Sequence, residues 1–394
     1  MTVRACILFI LFGWIVCFNS EAQNIFITKA ERNRFVTEKG QFIDSVFLLN
    51  PNRNNEKNYQ SAFWASELML KKSTIAKQKL KYALTNFAIF SDNFKRSILQ
   101  NIYTLYPSEF VAEMDSLVDL EHNKKRFAMI ANYLIRQNQG SKQKYFQKLK
   151  RHFPDWEGNA LLSGFVIEHS EQSKLTSEQI HDLIAFRKAK KVATIFVFVQ
   201  QNRDLPGVAM IMDNNGDFLK DKNDTLKIKL LARSITNLSG YLTNGNTPQG
   251  VFSVQGFGLS DNVFIGTSPT VNTVLPWEIS PKEFTFGEIE SSDWTLDLYN
   301  GFYPESWKAY LPKNMAYYAG KAGRGEIIIH GTTIDTDFYK LQSHYPFTPS
   351  MGCLCTLERW DETDGNLLES EQLKLVNALK NNKITNALMY VIEK

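Results

Sequence analysis

The spacing of apolar residues changes once along this chain, near Val192, and that change limits the folds open to it. Before it, the period is helical. Leu80, Leu84 and Phe87 share one face. Phe94, Ile98, Ile102 and Leu105 share the next, in a segment that opens at an N-capping Ser91 and stops at Pro107. Phe110, Met114 and Leu117 follow Ser108, and Phe127, Ile130 and Leu134 follow Asn123. Thr176 and Gln179 form a capping-box pattern ahead of Ile180, Leu183 and Ile184. Short polar loops join these segments, so the spacing predicts an all-helical hairpin array.

After Val192 the residues are β-branched, aromatic and alternating: VATIFVFV, then 207–212, 225–230, 251–254 and 326–329. A last helix is expected over 371–379. The class is therefore α+β, with the break at 190–192. The acidic run DNNGD at 213–217 has Phe218 where a calcium-binding EF-hand loop needs glycine, so an Asn-Gly turn between strands is expected there.

The 394 residues, 43% hydrophobic and 13% aromatic, suffice for packed cores in two domains. Forty-five basic and 41 acidic residues leave a net charge of +4 with no basic block, so nothing points to nucleic acid. The start, MTVRACILFILFGWIVCFNSEAQ, has a basic residue, an apolar run and small residues before Ala22. That is a signal-peptide pattern. The run from 5 to 18 falls short of the roughly 20 residues a bilayer span needs, so no transmembrane segment is expected. The expected organisation is signal peptide 1–22, helical domain 23–190 and catalytic domain 191–394, exported to the periplasm or cell envelope.

Beyond residue 22 only Cys353 and Cys355 remain, in SMGCLC. Export favours disulfides. Two cysteines so close, however, close a tiny, strained ring that removes little chain entropy. A reactive thiol or a metal site is left. A thiol acts as thiolate, so it needs a base or a positive neighbour. His330 ends an apolar strand and precedes Gly331, a rigid place to hold a base. Gly352, before Cys353, lets backbone N–H groups turn toward an oxyanion. The metal alternative takes His330, His344, Cys353 and Cys355 as four zinc ligands.

Three stretches in order, NTPQGVF at 246–252, IHGT at 329–332 and SMGCL at 350–354, resemble the L,D-transpeptidase (YkuD-type) catalytic domain. The likeness covers roughly the second half of the chain. It implies an N-terminal helical hairpin array followed by a mostly β, L,D-transpeptidase-like domain, and a cysteine acyltransferase acting on peptidoglycan stem peptides. Cys353 would be the nucleophile and His330 the base, its ring oriented by the Gly331 carbonyl. The N–H groups of Gly352 and Cys353 would be oxyanion donors, and Ser350 would supply the motif hydroxyl. No cofactor and no metal are implied. The same acyl-enzyme could pass to a stem amine (a 3→3 cross-link), to a protein lysine (anchoring) or to water, giving a carboxypeptidase or endopeptidase on stems or protein anchors. An outer-membrane or cell-wall protein is an expected partner of the helical domain. Two positions depart from the family pattern: Met351 stands where many members have His, and Cys355 where many have Arg or Asn. They keep open a non-catalytic cell-wall binding module. The aromatic stretch before His330 offers Trp307, Lys308, Tyr317 and Arg324 as substrate-binding candidates, and His344, in an expected lid, is a further one.

Overall fold

A computed structural model describes residues 27–137, 142–171 and 174–394. The expected signal peptide lies outside the described residues. Among the described residues nine α-helices come first: α1 (Lys29–Phe47), α2 (Glu56–Leu68), α3 (Thr74–Thr85), α4 (Asp92–Leu105), α5 (Val111–Val118), α6 (Lys124–Gln137), α7 (Lys142–His152), α8 (Ala160–His169) and α9 (Ser177–Lys190). Their ends follow from local chemistry. The Ser91 hydroxyl accepts from the Phe94 N–H at 3.3 Å and starts α4. Asn123 caps α6 through the N–H groups of Lys125 and Arg126. Thr176 and Gln179 form the capping box of α9. The segment after Ser108 begins later than its pattern indicates, at Val111, with no side-chain cap.

Helix α2 packs on α4, α4 on α6, and α6 on α8, while α1, α3 and α5 flank this row. Tyr59, Phe63, Phe94, Phe127 and Phe165 fill the space between. Burying each such ring stabilises the fold by roughly 1.5–3 kcal/mol.

The second half carries β1 (Thr194–Val199), β2 (Gly207–Met212), the short pair β3 (Lys220–Asp221) and β4 (Asp224–Thr225), β5 (Ile228–Leu231), β6 (Gly250–Gly258), β7 (Thr270–Val274), β8 (Ile329–His330), β9 (Leu354–Thr356), β10 (Glu358–Trp360), β11 (Leu367–Ser370) and β12 (Asn386–Glu393). Helices α10 (Pro281–Phe284), α11 (Leu296–Asn300), α12 (Met315–Lys321) and α13 (Glu371–Asn381) lie between them. Eight strands close into a barrel in the order β1-β12-β6-β7-β8-β9-β5-β2. The β1/β12 and β8/β9 pairs are parallel and the rest antiparallel. Strand β1 is buried on both sides. Ile195, Val197 and Val199 pack with Leu375 and Leu379 of α13, and Phe196 packs with Leu183 of α9 and the aromatic layer of Tyr299, Trp307 and Tyr390. At 213–217 the chain makes the expected turn. Gly216 has φ +85°, and Asp213 Oδ1 accepts from the N–H groups of Asn215 and Asp217.

The change of element type at 190–194 is not a division of the core. Leu238, Tyr241 and Leu242, from the loop after β5, and Met315 of α12 enter the helical core. Tyr241 lies so close to Gly164 of α8 that a Cβ there would stand 2.8 Å from its ring. Helix α12 packs on α8 and extends the row α2, α4, α6, α8 by one member.

Candidate active site

Parallel pairing of β8 and β9 sets the site. Ile329 pairs with Leu354, and His330 with Cys355. Side-chain direction alternates along a strand. Ile329 and Leu354 therefore point into the barrel core. His330, Cys355 and Cys353 share the other side. Cys353 lies one residue before β9, where the Ile328 N–H points at its sulfur at 3.5 Å. The thiol is 3.5 Å from the Glu326 carbonyl.

Cys353 opens on a cleft of about 460 Å³ walled by Arg324, Glu326, Glu278 and the rim residues Trp277 and Met351. The rim residues are 40% and 39% exposed, which leaves an apolar edge for a substrate to lie against. Glu278 shapes the wall: its carboxylate accepts from the N–H groups of Leu275 (2.5 Å) and Glu326 (3.0 Å). Glu326 is held at φ +58°.

Arg324 is buried and has no carboxylate partner among the described residues. Its guanidinium donates to backbone carbonyls: Gly240, Asn246 (2.7 Å), Gly245 (2.6 Å) and Gly352 (3.5 Å). Burial lowers its pKa to about 10, and it still carries its charge at neutral pH. A fixed cation thus stands beside the thiol. Burial raises the Cys353 pKa, while the Ile328 N–H and the Arg324 charge pull it down. Cys353 is partly buried, with its thiol facing the cleft.

Gly352 has φ +125°, and a Cβ there would meet the Arg324 guanidinium and stand 2.6 Å from the Gly245 carbonyl. Only glycine fits. Ser350 braces this turn, accepting from the Gly352 N–H at 3.0 Å and donating to the Cys353 carbonyl at 2.8 Å. The Gly352 N–H is therefore engaged, not free for an oxyanion as the sequence led us to expect. The Cys353 N–H has no acceptor among the described residues. Thr247, in the 246–252 stretch, donates to the Gly352 carbonyl at 3.0 Å.

His330 is buried, with Nδ1 2.5 Å from the Gly331 carbonyl. Burial lowers its pKa, and that carbonyl works in the other direction. The ring is therefore neutral. It makes no hydrogen bond to Cys353 among the described residues. Gly331 allows Glu358 to approach, since a Cβ would clash with that carboxylate. Glu358 accepts from Ser268 (2.5 Å), Ser370 (2.7 Å) and the Thr332 N–H (3.0 Å), fixing the chain after His330. Cys355 is buried, and burial lifts its pKa to about 12. It packs as a neutral group 3.5 Å from Thr348.

The other candidates lie elsewhere. Trp307 is 1% exposed, donates to the Gln179 carbonyl at 2.6 Å and ties α9 to the barrel. Tyr317 is buried behind the cleft, edge-on to Trp277 at 5.8 Å. His344 is buried against Tyr339, 3.9 Å from Asp204. None of the three lines the cleft; Arg324 does. His330, His344, Cys353 and Cys355 do not gather, and no metal-spaced cluster of His, Cys, Asp or Glu occurs among the described residues. Sequence reasoning missed Glu278 and Glu358. A lone acid between Leu357 and Arg359 in CTLERW was the available signal for Glu358. No family model, curated protein or solved structure matches this chain, so the chemistry of the site rests on its own residues.

Proposed function

We propose that the chain is a cysteine acyltransferase of the L,D-transpeptidase type, acting on peptidoglycan stem peptides in the cell envelope. The observation that carries this reading is the Cys353 thiol in an open cleft, with a buried guanidinium beside it and its own N–H unshared. Cys353 Sγ attacks the carbonyl between the third and fourth stem residues. The Cys353 N–H stabilises the oxyanion. The C–N bond breaks, the terminal D-alanine leaves as its amine after gaining the thiol proton, and a thioester remains. A second amine then attacks, forms the new amide and returns the thiol. His330 is the base for these proton transfers. With the thiol pKa raised and the imidazole pKa lowered, the resting pair is neutral, so the proton moves during attack.

The absence of a hydrogen bond between His330 and Cys353 favours a second reading, a cell-wall binding module without turnover. Tetrapeptide muropeptides incubated with wild type, Cys353→Ala and His330→Ala, and read by mass spectrometry, separate the two. A cross-linked dimer formed only by wild type supports the transferase. Loss of D-alanine alone indicates water as acceptor. No product from reduced wild type removes the stem-peptide transferase and leaves an enzyme that cuts protein anchors or a binding module.

A further inference from the structure

A second cavity, of about 320 Å³, lies between the helical half and the barrel, apart from Cys353. Helices α4 and α8 contribute Tyr103, Glu168 and His169, the barrel side contributes Arg203 and Glu393, and residues 246–249 form one wall. The charges there are not balanced. Arg203 is matched by Glu393 at 2.9 Å. Burial holds His169 neutral, its pKa lowered to about 4, and its Nε2 donates to Asn132 Oδ1 at 2.5 Å. The Asn132 amide in turn donates to Ser239 Oγ and to the Tyr241 hydroxyl, both at 2.8 Å. Glu168 has no cation within ion-pair distance among the described residues. It keeps accessible surface inside the cavity. Glu168 is exposed as a residue, but loss of water around its carboxylate lifts the pKa to about 7, with Glu393 adding to the rise and Ser239 and the more distant Arg203 and Lys142 charges opposing it. An ammonium placed there would be favoured.

Neutral polar groups line the rest. Gln249 is 8% exposed and spends its oxygen on the Tyr310 hydroxyl (2.6 Å) and the Glu393 N–H (3.3 Å). Its Nε2 has no acceptor among the described residues. Pro248, Pro312, Met315 and the Tyr103 ring give an apolar flank. An anionic group, one donor aimed inward, amides around the wall and one apolar side suit a compact molecule with an ammonium and several hydroxyls.

We propose that this cavity binds a small polyhydroxylated primary amine of the amino-sugar type, with its ammonium on Glu168 and its hydroxyls on the Gln249 and Ser239 side. The site is independent of Cys353 chemistry.

Isothermal titration of the full chain with glucosamine, and with glucose as the amine-free control, tests it. Glucosamine binds with one site per chain, and glucose binds at least about tenfold more weakly, for want of the charged bond. Glu168→Gln weakens glucosamine by about tenfold or more, and Cys353→Ala leaves it unchanged. The proposal is overturned if glucosamine gives no saturable binding, if glucose matches it, if Glu168→Gln binds like wild type, or if Cys353→Ala abolishes binding. Should Glu168→Gln fail to fold, the comparison of the two sugars on wild type decides.

Discussion

Arg324 fills the space that a side chain on residue 352 would need, while its Nη2 donates to the Gly352 carbonyl at 3.5 Å. The nucleophile turn and the buried cation therefore fix each other. Gly352→Ala must shift one of them and also strains a backbone at φ +125°. We expect a loss of about 2–4 kcal/mol and of all thiol-dependent activity. Denaturant unfolding checks this; an unchanged midpoint would mean the turn adapts freely.

Arg324→Met keeps most of the side-chain length and removes the charge. Four backbone carbonyls lose a donor. A cost of about 3 kcal/mol or more is expected from buried acceptors left unpaired. Without the cation, the Cys353 pKa rises further, because that charge now lowers it. Iodoacetamide labelling followed by peptide mapping reads this directly. In wild type, labelling of Cys353 climbs as pH rises past the ordinary thiol range. In the variant, the rate at fixed pH falls, because less of the thiol is ionised. Cys355 stays unlabelled in the fold up to about pH 10, since its pKa is near 12. Equal rates in both proteins would remove Arg324 from the electrostatics of the thiol.

His344 is neutral in the fold. Burial, with the Arg233 charge adding, lowers its pKa to about 4, and Asp204 only partly offsets this. The unfolded chain takes up that proton at about pH 6.5, so His344 is a liability that grows as pH falls from about 6.5 to 4. His344→Phe keeps a ring on Tyr339 and removes the titration. Its stability relative to wild type should rise by up to about 1.4 kcal/mol per pH unit through that window. Glu67 and Glu168, both raised to about 7, act with the opposite sign in both proteins and cancel in the difference. Melting curves at pH 7 and pH 5 give the answer; a constant difference would show that the histidine does not titrate there.

Trp307→Ala separates packing from binding. The indole stacks on Tyr303 and holds the Gln179 carbonyl of α9. We expect about 3–5 kcal/mol of destabilisation and an unchanged Michaelis constant for the fraction still folded. A raised constant at full stability would return Trp307 to the cleft.

Local chemistry was legible in the sequence and distant pairing was not. Ser91, Asn123 and Thr176 announce their helices because a cap acts on N–H groups a few residues away. The alternation in VATIFVFV marks a strand, but nothing near it reveals that Thr194 will lie beside Leu388 in a closed barrel. The aromatic run before His330 gave the same signal for a cleft wall as for a core, and Trp307 and Tyr317 belong to the core. Arg324 clamps carbonyls, which every residue has, so no partner pattern could identify its role. The asymmetry of the two cysteines was visible because Gly352 precedes only one of them.

The helical row that begins with α2 is completed by α12, and the loop at 238–242 fills its core. During synthesis, the amino-terminal helices leave the ribosome long before these pieces exist. The last face of α8 must wait, uncovered, for roughly 150 residues of translation between its own exit and that of α12. A pause or truncation in that interval leaves a sticky intermediate, so the interval is where chaperone demand falls.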